Sequence, residues 1–268
     1  MKVYLEQVLA SAPNELLRLN LIREYLQARI LGVLQESGAM LPLAFQGGTA
    51  LRFLYAIPRY SEDLDFAWEQ RSLPCNIEKW LARAGRTLRA EGYAVDIKLS
   101  TQRVVHSAFL KFPGLLSEMQ ATADPRRVLS VNVKVDTAPP SGAVLATTLV
   151  QRHLALRLQH HDRSSLLAGK LHAVLQRPYL KGRDLYDLSW YLSQRDWPEP
   201  NFSMLNAALA QSAWSGPTLS TDNWKAVLQT RIDGQDLRQA RQDVQPFLMH
   251  PHEANLFVPE HFRALLTR

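Results

Sequence analysis

Apolar positions recur at helical spacing between residues 16 and 34, where Leu16, Leu17, Leu19, Leu21, Ile22, Tyr25, Leu26, Ile30, Leu31 and Leu34 predict one or two amphipathic helices. The period then shortens. Residues 43–46 form a brief apolar run closed by Gly47-Gly48, after which Thr49 is placed to cap a helix reaching Tyr55 before Pro58 stops it. Residues 63–68 (DLDFAW) alternate as a strand, 77–90 are helical in pattern, and 93–99 (YAVDIKL) alternate again. Further strands are predicted at 106–112 and 128–136; in the latter Val131, Val133 and Val135 share one face and Asn132, Lys134 and Asp136 the other. From about Ser164 the pattern is mainly helical, through SSLLAGKLHAVLQR, GRDLYDLSWYLSQ and segments around Phe202, Trp224, Leu237 and Phe262. Ala138-Pro139-Pro140-Ser141-Gly142 is the clearest break. The expected architecture is therefore an α/β (α+β) part over residues 1–140 and a mainly helical lobe over 141–268.

Composition adds little that is specific. With 46% apolar residues among 268 the chain can bury a full core, and 31 basic against 25 acidic residues give a formal charge of +6 that favours anionic partners such as nucleotides or RNA. Cys75 stands alone, the N-terminal segment carries Glu6 and Glu15 where a secretory leader needs an apolar stretch, and no run is long enough to span a membrane. The expected location is the cytoplasm.

The chemistry lies in two carboxylates. On a strand, Asp63 and Asp65 project to the same face while Leu64 and Phe66 enter the core. At roughly 6–7 Å and an effective dielectric of ~20 their repulsion is on the order of 2 kcal/mol, which a shared cation removes. Aspartate is also a poor strand former, so the pair asks for a reason beyond solubility. Carboxylate oxygens at this spacing suit magnesium, which keeps waters and accepts one or two carboxylates with substrate phosphates. Two-metal phosphoryl transfer calls for a third carboxylate, for which Asp136 is the candidate and Asp96 the rival. Upstream, Gly47 and Gly48 let backbone approach phosphate oxygens, Thr49 adds a hydroxyl, and Arg59 and Ser61 are candidate donors to the terminal phosphates. The turn matches neither GxxxxGK[ST] nor GxGxxG.

The run GGTALRFLYAIPRYSEDLDF resembles the first motif of the AbiEii/AbiGii-type nucleotidyltransferase toxins of type IV toxin–antitoxin and abortive-infection systems, within the DNA polymerase β-like superfamily. Arg59, Ser61, Asp63, Leu64, Asp65 and Phe66 match its Arg-x-Ser-x-Asp-Leu-Asp-Phe ending. A second match is KLHAVLQRPYLKGRDLYDL, where Lys170, Arg177, Lys181, Arg183, Asp184 and Asp187 hold the family's places. The resemblance implies a polymerase β-like core with a mixed sheet followed by a helical C-terminal lobe. It implies that Asp63, Asp65 and a later strand carboxylate, carried over to Asp136, bind magnesium. It also implies that Gly48 and Thr49 contact the triphosphate and that Lys170 faces the nucleotide and neutralises departing pyrophosphate. The implied activity moves a nucleoside monophosphate from an NTP to an acceptor hydroxyl, the tRNA 3′ end first among acceptors, and so blocks translation and growth; a cognate antitoxin encoded nearby is the implied partner. Transfer to a protein or small molecule, or a non-catalytic RNA-binding role, are the alternatives.

Independently of the resemblance, Lys170 and Arg177 are seven residues apart and fall near one helix face, able to reach a polyanion, while Asp184 and Asp187 are spaced to orient Arg183, Lys181 or a nucleotide. Adjacent histidines on a polar turn, as in His160-His161-Asp162, seldom converge on one ion, His250, His252 and His261 lack a regular ligand spacing, and zinc is not expected. Trp190, Tyr191 and Trp197 beside Arg195 suit a helix core better than a base-stacking platform.

Overall fold

The computed structural model describes residues 2–267. The chain forms two compact units, one of residues up to 54, 60–138 and 147–160, the other of residues 55–59, 139–146 and those from 161 onward.

The first unit opens with α1 (Lys2–Leu9) and α2 (Glu15–Glu36). Asn14 caps α2, its side chain accepting from Leu17 N at 2.9 Å. There follow β1 (Leu43–Gln46), α3 (Gly47–Tyr55), β2 (Asp63–Trp68), α4 (Ile77–Ala90), β3 (Asp96–Ser100), β4 (Val105–Phe112), the short α5 (Leu115–Glu118) and β5 (Leu129–Asp136). Two further strands, β6 (Leu145–Arg152) and β7 (Leu154–His161), complete a seven-stranded sheet in the order β3-β4-β5-β2-β1-β7-β6. It is a mixed sheet: β2 runs antiparallel to β1 and parallel to β5, and β1 runs parallel to β7.

Strand alternation sorts the sheet into a dry and an open face. Leu64, Phe66, Ala108, Leu110, Phe112, Val131, Val133 and Val135 are buried, with α2 packed against β5 and α4 against β3. Truncating one of these phenylalanines to alanine would cost about 3–5 kcal/mol. The alternate positions carry Asp63, Asp65, Asn132, Lys134 and Asp136.

Three local expectations change. The segment 145–161, grouped by sequence with the helical lobe, is two strands; Leu154, Leu156 and Leu158 do alternate, and the turn between the strands places His153 at φ +60. The strand expected from residue 93 begins at Asp96, because Tyr93 N closes the end of α4 on Leu88 O and its ring is buried. Helix α3 starts at Gly47 rather than after a Thr49 cap.

The second unit holds α6 (Arg163–Gln176), α7 (Gly182–Ser193), α8 (Phe202–Gln211), α9 (Trp224–Asp233), α10 (Arg238–Val244) and α11 (Pro259–Leu266). Asp162 caps α6 by accepting from Ser165 N at 2.8 Å. The glycine of the Lys-Gly-Arg-Asp run is fixed by packing: a Cβ on Gly182 would lie 1.9 Å from Ala240 O, so α7 and α10 meet backbone to backbone. Tyr191 and Trp197 meet edge to face at 4.3 Å, with Trp190 and Tyr55 at 5.2 and 5.0 Å from Trp197, which makes these aromatics a packed cluster.

Candidate active site

In the first unit, the turn from β1 into α3 runs directly against the β2 carboxylates. Gly47 has φ +77, and a Cβ there would lie 2.9 Å from Asp65 Oδ2. Both conformation and space exclude a side chain at this position. The antiparallel register sets Gln46 opposite Asp65, so the turn and the carboxylate are fixed by the same ladder. Thr49 is fully buried and its hydroxyl donates to the backbone carbonyl of Asp63. That hydroxyl, expected on a triphosphate, instead ties α3 to β2. Gly48 is buried in the first turn of α3, while Ser61 is half-buried with its carbonyl accepting from Gln27 Nε2 at 3.0 Å.

Asp63 and Asp65 are each about one-third exposed, and both face the ammonium of Lys134. Lys134 Nζ lies 2.5 Å from Asp63 Oδ2 and 4.0 Å from Asp65 Oδ1. The lysine comes from β5, whose parallel register places it beside Asp65. This neighbour removes the repulsion that the Asp-x-Asp spacing implies, and sequence reading located Lys134 on the right face without seeing its role. Two carboxylates already gathered around an ammonium suit a divalent ion. No group of three His, Cys, Asp or Glu side chains able to hold a metal occurs among the described residues. Asp63 and Asp65 are the side chains that could hold such an ion, with water or substrate oxygens completing a magnesium shell.

Asp136 lies on the same face but is not brought to the pair. Its register partner is Ala67, two residues beyond Asp65, and its Oδ1 accepts from Ala138 N at 2.9 Å. Lys134 occupies the nearer position. Asp96 is exposed on the edge strand β3, three strands from β2 and so about 14 Å away.

In the second unit the remaining motif residues form one buried ionic cluster. Arg59 Nε and Nη2 donate to Asp187 Oδ1 and Oδ2, both at 2.5 Å, with the arginine 1% exposed. This fork-to-fork geometry commits both donors to a carboxylate, so Arg59 acts as an internal clamp where sequence reading expected a phosphate ligand. Lys170 Nζ sits 2.7 Å from Asp187 Oδ2 and 3.0 Å from Asp184 Oδ1. Burial pushes the Lys170 ammonium towards the neutral form, but Asp187 and then Asp184 outweigh it and hold the pKa above its ordinary value. Burial likewise pushes Asp184 up, and Lys170 and Arg177 bring it below the ordinary carboxylate value.

Arg177 Nε reaches Asp184 Oδ2 at 3.1 Å and remains 43% exposed. Three cations thus face two carboxylates, leaving one positive charge in excess, and Arg177 is the member in contact with solvent. Beside them, burial and then Arg183 and Arg177 pull the Lys181 ammonium below its ordinary value, and the Arg183 guanidinium lies over the Phe247 ring at 4.3 Å. This crowding of like charge is what a bound polyanion relieves. The aspartates of the second motif were expected to orient Arg183, Lys181 or a nucleotide; among the described side chains they contact Arg59, Lys170 and Arg177.

An Asp-x-Asp strand behind a glycine turn, on a mixed sheet whose other face is the core, is the arrangement that the resemblance of the first motif implies. The chain matches the family model described as nucleotidyl transferase AbiEii toxin, type IV TA system, over residues 29–268, and it belongs to that family. It is accordingly a nucleotidyltransferase of a toxin–antitoxin type. Two solved structures are similar to it: a candidate nucleotidyltransferase from H. pylori (18% identity, TM-score 0.49, 92% of this chain and 94% of that one) and JHP933 from Helicobacter pylori (18% identity, TM-score 0.48, 92% of each chain). A search of curated proteins found no match. No helix among the described residues is long and apolar enough to cross a membrane.

Proposed function

We propose that the protein is a magnesium-dependent toxin that transfers a nucleoside monophosphate from an NTP to the 3′-terminal hydroxyl of tRNA, stopping translation. The observation that carries this reading is the convergence of Asp63 and Asp65 on one cation, Lys134 Nζ, immediately behind the Gly47 turn. When bound at Asp63 and Asp65, magnesium would supply Lewis-acid stabilisation of phosphate charge. The chain's own groups do the rest. The turn at Gly47 sets the backbone directly against Asp65, and the amides opening α3 favour an anion. The acceptor oxygen forms its bond to the α-phosphorus as the bond to pyrophosphate breaks, and the hydroxyl proton passes to a carboxylate of the pair or to water. Asp136, beside Ala67, contributes negative potential to the face without direct ligation. The positive excess at Arg177, backed by Lys170 and Arg183, suits a polyanion, whether the triphosphate or the RNA backbone. An antitoxin is the expected biological partner.

The test is incubation with magnesium, total RNA and each α-labelled NTP in turn, alongside the Asp63→Asn/Asp65→Asn variant. Label in a tRNA-sized band with the unaltered protein alone is expected. Label in protein or small-molecule fractions moves the acceptor to those classes, and no label in any fraction overturns the catalytic reading.

A further inference from the structure

The strand registers place four side chains in one line across the open face of the sheet. Lys98 on β3 pairs with Phe109 on β4, Phe109 pairs with Asn132 on β5, and Asn132 pairs with Asp63 on β2. With strands ~4.8 Å apart, Phe109 stands about 10 Å from Asp63 and Asn132 lies midway.

Two members of this line are unexplained by folding. Phe109 is 42% exposed, and among the described residues no other phenylalanine or tryptophan is counted among the exposed large apolar side chains. Asn132 is 8% exposed, yet its Oδ1 accepts no hydrogen bond from any described residue. A buried acceptor without a donor is costly to keep, and a ligand hydroxyl is the kind of group that satisfies it. Beyond the phenylalanine, Lys98 and Lys111 are exposed on β3 and β4, and neither makes a salt bridge with a described residue.

We propose that this line is the acceptor subsite and that its occupant is the 3′-terminal nucleotide of a single-stranded RNA end, an inference that rests on the nucleotidyl-transfer reading above. The terminal base stacks on Phe109, a ribose hydroxyl donates to Asn132 Oδ1 as the side chains around it readjust, and the 3′-hydroxyl is directed to the Asp63 end. Lys98 and Lys111 meet the preceding phosphates. Aromatic stacking beside lysines fits single-stranded RNA, because every base offers a face to the ring while the backbone supplies the charge. The sugar contact makes the subsite sensitive to ribose, since a deoxyribose lacks one of the donors.

The test compares the unaltered protein with Phe109→Ala, Phe109→Trp and Asn132→Ala, measuring transfer kinetics against both substrates. Binding of a fluorescent single-stranded RNA 12-mer with a free 3′ end is followed separately by anisotropy. Phe109→Ala should raise KM for RNA and weaken 12-mer binding by roughly tenfold while leaving KM for NTP within about twofold, and Phe109→Trp should restore both. A 12-mer ending in 2′-deoxyribose should bind the unaltered protein more weakly than its ribose counterpart, and Asn132→Ala should abolish the difference. A raised KM for NTP with unchanged RNA binding would assign the line to the incoming nucleotide and overturn the proposal; unchanged values for both substrates would overturn it too. If no transfer occurs in any protein, the nucleotidyl-transfer reading fails. The anisotropy comparison still decides whether Phe109 and Asn132 seat an RNA end.

Discussion

A Cβ on Gly47 would lie 2.9 Å from Asp65 Oδ2, on a residue already held at φ +77. Glycine is therefore required twice at the same atom. Gly47→Ala has to move either the turn or the carboxylate, and the left-handed backbone alone costs about 1–2 kcal/mol. Since the carboxylate is one of the two that face the cation, the expected outcome is a transfer rate at least about tenfold lower with only a modest fall in Tm, read by labelled-NTP transfer beside a thermal melt.

The register distinguishes the three strand aspartates. Asp63→Asn or Asp65→Asn removes half of a converging pair, whereas Asp136→Asn changes a residue opposite Ala67. Transfer should fall by two or more orders of magnitude in the first two variants and by about tenfold or less in the third, by analogy with losses of directly acting electrostatic groups. Equal losses in all three would return Asp136 to the metal shell.

Lys134 offers a reading of metal binding that needs no turnover. With its ammonium 2.5 Å from Asp63 Oδ2, it offsets the charge of the pair when no other cation is present. Lys134→Ala leaves two carboxylates facing each other, a penalty on the order of 1–2 kcal/mol at these partly exposed positions. Thermal melts in EDTA and in magnesium should show the variant less stable than the unaltered protein in EDTA and gaining more from the ion. An identical gain for both proteins would argue against magnesium at this pair.

Much of this was legible because strands and glycine turns carry short-range signatures. The alternation in 63–68 and 128–136 fixes which side chains share a face, and the Asp-x-Asp spacing announces a charge problem. What solves that problem was not legible, since the proximity of Lys134 to Asp63 depends on the parallel pairing of strands separated by 71 residues. The same limit applies to Arg59, 128 residues from the Asp187 it clamps. Strands β6 and β7 had a usable signal in Leu154, Leu156 and Leu158, which the run of histidines and arginines around them obscured.

The Arg59–Asp187 pair is buried on both sides, at 2% and 0% side-chain exposure. Removing one partner strands a charge, so Arg59→Ala or Asp187→Ala should each destabilise the protein by about 3–5 kcal/mol. Asp187 also neutralises Lys170, and the second variant should be the worse of the two. In a double-mutant cycle by urea unfolding, the combined variant should cost clearly less than the sum of the singles; simple additivity would mean that the two side chains do not interact.

Glu24 gives the first unit an acid-labile link. Burial pushes its carboxyl up, but the hydrogen bond from His153 and the guanidinium groups of Arg52 and Arg152 outweigh that and depress the pKa from 4.5 to about 2. The contacts are close: Arg52 Nε at 2.5 Å, Arg152 Nη1 at 3.1 Å and His153 Nε2 at 3.2 Å. A folded-state pKa below the unfolded one means that the stabilisation is complete above about pH 4.5 and is lost as the pH falls towards 2. Its size is on the order of 3 kcal/mol for a buried carboxylate shifted this far. Urea unfolding of the unaltered protein and Glu24→Gln should therefore differ most at pH 6–7, and the gap should narrow progressively below about pH 4.5. A gap that stays constant down to pH 2.5 would show that packing of the side chain, rather than its charge among Arg52, Arg152 and His153, is what stabilises this part of the fold.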